Sequence, residues 1–258
     1  MNVNSLFDLS GKTAIVTGGS RGLGKQIAHA LAEAGANIVV CSRNIDACKE
    51  VSGQLKQIGV DSIACSCDIS KKEDVENVIN ETMKVFGRLD ILVNNSGISW
   101  ISPVLQLPEE KWKKVIDVNV HGTFLFSQAA AKVMVKQGYG KIINIASIAG
   151  HGGTSPDVME AIAYNTSKGA IITFTKDLAV KLARHGIQVN AIAPGFFPTK
   201  ITKKVLEESN FDIALNIPAR RFGNDTDLKG AAVFLASSAS DYLVGHVLDV
   251  DGGITATA

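Results

Sequence analysis

A tyrosine and a lysine stand four positions apart in the stretch IAYNTSKGA, residues 162–170. Side chains at positions i and i+4 lie on one face of a helix, so Tyr164 and Lys168 can act on the same molecule. A free tyrosine has a pKa of about 10 and exchanges protons poorly at neutral pH, but a nearby ammonium group lowers that pKa. The spacing therefore predicts an acid–base pair, whereas the alternative is an ordinary helix that carries two polar side chains.

Predicted strands and helices must position this pair, and they alternate along the chain. Short apolar segments rich in β-branched residues are each followed by a longer amphipathic segment. Such alternation is typical of βαβ units, which form a parallel sheet with helices on both faces. We predict one Rossmann-type α/β domain over residues 1–258, a doubly wound parallel sheet of about seven strands, with ligands beyond the carboxyl ends of the strands. The predicted strands are 12–19, 37–43, 61–68, 88–97, 140–147, 186–195 and 246–253. The predicted helices are 23–36, 46–59, 72–87, one or two within 108–137, 159–185 and 227–237.

Composition narrows the class of protein. The net charge is +1, so we expect no nucleic-acid partner, which usually brings a strong basic excess. No apolar run reaches transmembrane length, and the first residues lack the basic and apolar regions of a signal peptide, so we expect a cytoplasmic protein that does not bind a membrane. The four cysteines have no zinc-ligand spacing, and we expect reduced thiols and no metal.

A glycine-rich turn, TGGSRGLG at 17–24, joins the first predicted strand to the first predicted helix. Its glycines allow a tight turn and a close backbone approach, and the helix N-terminus offers free N–H groups to a diphosphate. The spacing G-x-x-x-G-x-G differs from the G-x-G-x-x-G fingerprint, and a plain tight turn is the alternative. The position between strand and helix favours a nucleotide site. Its predicted residues are Gly18, Ser20, Arg21, Gly22, Leu23 and Gly24.

The end of the second predicted strand indicates which dinucleotide binds. NAD sites usually carry an acidic residue there, and NADP sites an arginine nearby. The chain reads VVCSRN, so Arg43 and Asn44 occupy this place and the first acid is Asp46. Arg21 adds a second positive charge. We predict that NADP(H) is preferred over NAD(H), the alternative being that both arginines are solvated surface residues.

Six motifs occur together in one order: TGGSRGLG, NNSG at 94–97, the asparagine of DVNV, the serine of IASIAG, YNTSK and APG. With this set the chain resembles the short-chain dehydrogenase/reductase family over essentially its whole length. The resemblance implies that Asn119, Ser147, Tyr164 and Lys168 are catalytic. Tyr164 would exchange the proton of the substrate oxygen, and Lys168 would also bind the nicotinamide ribose. Ser147 would hydrogen-bond the substrate oxygen, and Asn119 would hold a water that links the lysine to solvent.

The resemblance also implies further contacts. Asp68 would bind the adenine amino group, and the Thr199 hydroxyl would bond the carboxamide. Ser96 departs from the family pattern, which usually has alanine there. The remaining predicted cofactor residues are Asp68, Ile69, Asn95, Ser96, Gly97, Tyr164, Lys168, Pro194, Gly195 and Thr199, and the predicted substrate residues are Ser147, Tyr164 and Phe197.

Substrate identity is the open part of the interpretation. The chain is similar to gluconate 5-dehydrogenase-like and 3-oxoacyl-acyl-carrier-protein-reductase-like members, and both reactions transfer hydride between a ketone and a secondary alcohol. APGFFPTKIT and the long segment 148–163 favour the former. A 3-oxoacyl-thioester reductase is the alternative, and a non-catalytic NADP-binding regulator is a third hypothesis. We expect a substrate lid at about 196–222. Its cations either attract an anionic substrate or form a solvated helix face, and they are Lys200, Lys203, Lys204, Arg220 and Arg221. The resemblance implies a homotetramer, or at least a dimer.

Overall fold

Seven parallel strands form one sheet in the computed structural model, which describes residues 2–198 and 213–257. Their order across the sheet is β3-β2-β1-β4-β5-β6-β7, so the predicted doubly wound α/β fold is confirmed. The strands are β1 Thr13–Thr17, β2 Asn37–Ser42, β3 Ser62–Ser66, β4 Ile91–Asn94, β5 Gly140–Ile145, β6 Ile187–Pro194 and β7 Val247–Val250.

Helices connect the strands within one or a few residues of their predicted bounds. They are α1 Gly22–Glu33, α2 Ile45–Ile58, α3 Lys72–Phe86, α4 Glu109–Ile116, α5 Gly122–Gln137, α6 Ile162–Leu182, α7 Ile213–Asn216 and α8 Lys229–Ala236. The predicted region 108–137 is two helices joined by a π-helical turn over Asp117–His121. The helix with the acid–base pair begins at Ile162, three residues later than predicted.

Helix α2 illustrates how the sequence sets these bounds. The Asn44 side chain accepts a hydrogen bond of 3.1 Å from the N–H of Ala47 and caps the N-terminus. Gly59 ends the helix with φ of +105°, a left-handed conformation that glycine adopts without steric cost.

The core lies on both sides of the sheet. In β1, Ala14 and Val16 pack against the layer of α1, α2 and α8, while Ile15 packs against the layer of α3, α5 and α6. All three are fully buried. Cover on both faces explains why the strands are apolar nearly throughout, as is typical of parallel sheets.

The strand order reverses direction at β1, which pairs with β2 on one side and with β4 on the other. At such a switch point the two connections leave in opposite directions and open a crevice at the carboxyl ends of the strands. The glycine turn after β1 and the NNSG segment after β4 therefore meet at that crevice. In the part of the chain that the structure describes, no helix is both long and apolar enough to cross a membrane.

Candidate active site

A cleft with a volume of about 1070 Å³ opens above the carboxyl ends of the strands. Predicted cofactor and substrate residues from seven separate segments of the chain line it together. They are Gly18, Ser20, Arg21, Gly22, Leu23, Gly24, Arg43, Asn44, Asp68, Ile69, Asn95, Ser96, Gly97, Ser147, Tyr164, Lys168, Pro194, Gly195 and Phe197. Thr199 lies outside the described residues.

The glycine turn lies against the NNSG segment so closely that a side chain would not fit. A Cβ on Gly24 would stand 2.3 Å from Asn95 Nδ2 and 2.4 Å from the carbonyl oxygen of Gly18. Asn95 holds the turn in place, because its Nδ2 donates to the carbonyl oxygen of Thr17 at 2.9 Å. Helix α1 then begins without a side-chain cap and without an acid in its first turn. Its first N–H groups and the positive end of its dipole are therefore available to a phosphate.

The ends of the glycine turn and of β2 are joined by polar contacts. The hydroxyl groups of Ser20 and Ser42 lie 3.1 Å apart, and Ser42 Oγ accepts from the N–H of Asn44 at 3.3 Å. Arg21 and Arg43 stand exposed at this place. Within residues 2–198 and 213–257, no carboxylate lies within 4 Å of either guanidinium group. Two cations without an acidic partner suit a phosphate on the adenosine ribose.

Asp68 follows β3 and lines the same cleft, close enough to Arg43 for the two charges to interact. Burial raises the pKa of its carboxyl group, but hydrogen bonds from Ser70 and the charges of Arg43 and Lys71 outweigh that and leave the pKa lowered. The Ser70 N–H and hydroxyl donate to Asp68 Oδ1 at 3.1 and 2.8 Å. The carboxylate is thus ionised and oriented, which suits it to accept a hydrogen bond from an amino group.

Tyr164 and Ser147 face each other at the other end of the cleft. Burial raises the pKa of Tyr164, and a hydrogen bond with Ser147 opposes the rise. The expectation that the pKa of Tyr164 is lowered is therefore wrong for the protein's own groups, because burial disfavours the phenolate more than its neighbours favour it. Ser147 ends the β5 segment, and its Oγ accepts from the N–H of Ala149 at 3.2 Å, which orients the hydroxyl.

Lys168 lies one helical turn beyond Tyr164 and is buried. Its Nζ donates to the carbonyl oxygen of Ile145 at 2.7 Å and lies 5.5 Å from the centroid of the Tyr164 ring. Burial lowers the pKa of Lys168 to about 8. The ammonium group is thus held near the phenol by the end of β5, at a pKa close enough to neutral for proton exchange.

Asn119 lies beneath this pair, in the π-helical turn Asp117–His121. Its Oδ1 accepts from the N–H of Ile98 at 2.8 Å, and its Nδ2 donates to the Ile98 carbonyl at 2.9 Å and to Ser167 Oγ at 2.9 Å. Ser167 Oγ in turn donates to the carbonyl oxygen of Tyr164 at 2.7 Å. Both N–H groups of the side-chain amide are used, and they join the segment after β4 to the helix of Tyr164. The water that Asn119 is predicted to hold stays a prediction.

The segment 148–161, between Ser147 and α6, is held in place by two side-chain contacts. His151 Nε2 lies 2.6 Å from Asp249 Oδ1 on β7. Asn165 Nδ2 donates to Thr154 Oγ1 at 2.8 Å, which ties the segment to the turn of α6 that carries Tyr164. The segment is thus a defined wall of the cleft.

Several residues that line the cleft were not singled out from the sequence. Trp100, Met159, Ile254 and Thr255 have no motif, and they lie far apart in the chain. The backbone N–H of Ser102 donates to the carbonyl of Glu160 at 2.9 Å, so the segment after β4 and the segment before α6 form one surface. Only the fold brings them together.

The predicted lid, 196–222, is described in part. Phe197, predicted to contact the substrate, is 3% exposed and belongs to the core layer of α1, although its ring also borders the cleft. Gly223 lies against that ring, since a Cβ there would be 2.3 Å from it.

Both arginines of the predicted lid make hydrogen bonds within the protein. Arg221 makes two hydrogen bonds to Asp227, at 2.5 and 3.0 Å, and Arg220 Nη1 donates to the carbonyl oxygen of Leu215. These contacts favour the solvated-face alternative for both arginines over the attraction of an anion. Lys200, Lys203 and Lys204 lie outside the described residues.

Together, the phosphate-binding turn and the serine, tyrosine and lysine at the far end of the same cleft define a dinucleotide-dependent oxidoreductase. The chain belongs to the short-chain dehydrogenase/reductase family. It acts on a CH–OH group or ketone with a nicotinamide dinucleotide.

A family profile described as Enoyl-(Acyl carrier protein) reductase matches residues 18–255. The chain is 39% identical over 254 residues to 5-keto-D-gluconate 5-reductase of Escherichia coli (strain K12), which covers 98% of each chain. It is 38% identical over 244 residues to 3-oxoacyl-(acyl-carrier-protein) reductase FabG of Staphylococcus aureus (strain Mu50), covering 94% of this chain and 98% of the relative. The crystal structure of a gluconate 5-dehydrogenase from Burkholderia cenocepacia J2315, in complex with NADP and tartrate, superimposes with a TM-score of 0.94 at 36% identity and covers both chains completely.

Proposed function

We propose that the protein interconverts the ketone and the secondary alcohol of a keto-sugar acid with NADP(H). The observation that carries this proposal is the joint placement of Ser147, Tyr164 and Lys168 in the cleft that the glycine turn borders. The sugar-acid substrate is supported by similarity to the E. coli 5-keto-D-gluconate reductase and to the Burkholderia enzyme.

The hydride would be supplied or accepted by a nicotinamide dinucleotide held between the glycine turn and Tyr164. In the direction of reduction, the Tyr164 hydroxyl donates its proton to the substrate oxygen, and in oxidation the same oxygen takes the proton back. Ser147 donates a hydrogen bond to the substrate oxygen and fixes its place. Lys168 returns a proton to Tyr164 and stabilises any charge on the phenol oxygen, since its ammonium group is held 5.5 Å from the ring. Asn119 keeps the helix of Tyr164 aligned with the segment after β4.

The preference for NADP(H) over NAD(H) is part of the proposal. Arg21 and Arg43 support it, because both stand exposed beside the end of β2. Asp68, the nearby carboxylate, lies after β3 and is engaged by Ser70. Two cations that carry no ion pair in the described part of the chain would grip a 2′-phosphate, as the arginine of NADP sites does.

The test is a spectrophotometric screen of NADPH and NADH oxidation with 5-keto-D-gluconate, other keto-sugar acids and acetoacetyl thioesters. We expect the highest kcat/KM with a keto-sugar acid and NADPH. A higher value with acetoacetyl thioesters would favour the 3-oxoacyl-thioester reductase, which the similarity to the Staphylococcus enzyme supports. If the wild type and Tyr164→Phe were equally inert while NADPH bound tightly, the chain would be a non-catalytic NADP-binding regulator.

We also propose that residues 1–258 form a single domain with a lid at 196–222, because the sheet takes strands from Thr13 to Val250. A homotetramer, or a dimer, would cover apolar side chains that α5 and α6 leave exposed, among them Phe124 at 41%, Ile162 at 43% and Val180 at 76%. The free thiols fit a reducing, cytoplasmic compartment. Sedimentation equilibrium tests the assembly.

A further inference from the structure

The segment 97–102 lies directly beside the catalytic lysine. A Cβ on Gly97 would stand 3.8 Å from Lys168 Nζ. At the other end of the segment, the N–H of Ser102 donates to the carbonyl oxygen of Glu160 at 2.9 Å, four residues before the catalytic tyrosine. The side chains with which this segment lines the cleft are therefore close to the reacting groups.

The side chains around this end of the cleft are largely apolar. Trp100 is 41% exposed, although its neighbours in the chain are held by the backbone contacts described above. Half-buried apolar side chains that also line the cleft are Ile98, Ile101, Ile148, Val158, Met159 and Ile254. Sites for small molecules are lined mainly by such side chains, because an apolar group of the ligand displaces water from them favourably.

The polar side chains at the same end are largely engaged within the protein. His151 Nε2 lies 2.6 Å from Asp249 Oδ1, and Thr255 Oγ1 donates to Asp251 Oδ2 at 2.7 Å. Thr154 Oγ1 accepts a hydrogen bond of 2.8 Å from helix α6. Each hydroxyl group of a buried ligand needs a hydrogen-bond partner, whereas an alkyl or aryl group needs none.

Ser99 also lines the cleft, but its hydroxyl oxygen is buried, so it is not presented to a ligand. The described wall thus offers a ligand more apolar surface than hydrogen-bonding groups beyond Ser147 and Tyr164. A ketone with one apolar substituent matches this surface, because its single oxygen is bound by those two hydroxyl groups.

We propose that the protein also reduces ketones that carry an alkyl or aryl substituent, with that substituent against Trp100 and Met159. The ketone carbon accepts a hydride from NADPH, which is oxidised to NADP⁺. The ketone oxygen accepts the proton of the Tyr164 hydroxyl, and the product is a secondary alcohol. This activity goes beyond the keto-sugar acid reaction and shares only its catalytic groups.

The kinetic test uses 2-butanone, 2-pentanone and 2-hexanone, which carry the same methyl ketone and differ by one CH₂ group each. Initial rates of NADPH oxidation give kcat/KM for each ketone. We expect kcat/KM to rise about two- to fourfold per added CH₂ group, since complete removal of one CH₂ group from water is worth about fourfold in binding. A series that does not rise, or the reduction of none of the three ketones, would overturn the proposal.

Two variants test whether the effect arises at this wall. Trp100→Ala should lower kcat/KM for 2-hexanone about tenfold and that for 2-butanone by less than about twofold. Met159→Gln keeps the length of the side chain but places an amide in the wall, so it should act in the same direction. Leu105→Ala is the matched control and should change neither value, because Leu105 is 96% exposed and lies outside the cleft lining. Equal losses for both ketones in the two wall variants would contradict the proposal.

A binding measurement without turnover distinguishes this proposal from the proposed function. Trp112→Phe leaves Trp100 as the single indole, and Tyr164→Phe removes the acid–base group. With saturating NADP⁺, 2-hexanol should shift the Trp100 emission to shorter wavelength, with a Kd about fourfold or more below that of 2-butanol. Equal Kd values would count against the apolar wall. If keto-sugar acids are inert while the ketone series rises, the substrate of the proposed function is wrong and this inference holds. If keto-sugar acids are reduced and the series does not rise, only this inference fails.

Discussion

The two ends of the cleft are built in different ways. At the nucleotide end much of the ligand surface is backbone, from the glycine turn and the start of α1, and the Ser20 and Ser42 hydroxyl groups that join the turn to β2 lie 3.1 Å apart. At the substrate end it is side chains joined across long stretches of chain, such as His151 to Asp249, 98 residues apart. A backbone surface suits a cofactor shared by many enzymes, because its contacts do not depend on side-chain identity, and Gly18 and Gly24 leave no room for a side chain. A side-chain surface can change with the substrate while the sheet beneath stays the same.

The largest effect should come from the group that acts only at the substrate end. Tyr164→Phe keeps the ring and removes the proton that the reaction needs, so kcat should fall by about 10²–10⁴-fold. The Kd for NADPH, measured by fluorescence titration, should stay the same, because the phosphate turn is untouched. A comparable weakening of NADPH binding would mean that the two ends are not independent.

Lys168 lies where the two ends meet. The protonation of its buried amine should make the free energy of unfolding depend on pH. Burial lowers its pKa in the folded protein to about 8, whereas the unfolded chain has the ordinary value of about 10.4. Between these values the unfolded chain binds more protons, so the free energy of unfolding rises with pH. Below about pH 8 the buried charge costs its full amount, about 3 kcal/mol.

Lys168→Met should remove this dependence, because methionine cannot be protonated. Urea unfolding at a series of pH values measures the free energy of unfolding of both proteins. Between about pH 8 and pH 10 this free energy should rise in the wild type relative to Lys168→Met, and the difference isolates the lysine from other titrating groups. Parallel curves for the two proteins would contradict the lowered pKa.

Gly24→Ala should damage the nucleotide end. Its Cβ would overlap the carbonyl of Gly18 and Asn95 Nδ2, so the turn must open, and the Kd for NADPH should rise about 10- to 100-fold. Gly53→Ala in α2 is the control, because a Cβ there meets nothing within 4 Å. It should leave NADPH binding unchanged and stabilise the protein by up to about 1 kcal/mol.

Arg43→Ala tests whether this side chain contacts the 2′-phosphate of the nucleotide. NADPH binding should weaken about tenfold, the effect of losing a charged partner of the 2′-phosphate at an exposed site, while NADH binding should barely change. Isothermal titration with both cofactors measures the ratio. Equal losses for NADPH and NADH would show that Arg43 does not contact the 2′-phosphate.

Thr154→Val should give the smallest effect and confine it to the substrate end. It removes the hydroxyl that accepts from Asn165 Nδ2, a contact worth about 1 kcal/mol. KM for the ketone substrate should rise by about two- to fivefold with an unchanged Kd for NADPH. Ser155→Ala, at an exposed neighbour, is the matched control.

Much of the nucleotide end could be predicted from sequence because its determinants are local. A glycine turn between a strand and a helix, or an arginine after the next strand, is read from consecutive residues. The residues of the substrate end were harder to predict from the sequence. Trp100 and Thr255 carry no local signal, since they reach the cleft only through the packing of segments distant in the chain.

Two chemical expectations show the same limit. The spacing of Tyr164 and Lys168 placed them together, but the direction of the Tyr164 pKa depends on burial, which the spacing does not contain. Asn119 was expected within a helix, whereas the π-helical turn and its bonds to Ile98 and Ser167 define what its side chain does.

The sequence by itself determined the order of strands and helices, the glycine turn and the placement of Tyr164 and Lys168 on one helix face, because periodicity, glycine and i, i+4 spacing act over a few residues. The role of Ser147 was implied by the resemblance of its motif. The tertiary structure alone decided how those groups are buried, which charges remain unpaired and which distant side chains, Trp100 and Thr255 among them, line the cleft. Burial and charge pairing are sums over neighbours in space, and those neighbours exist only once the sheet has formed.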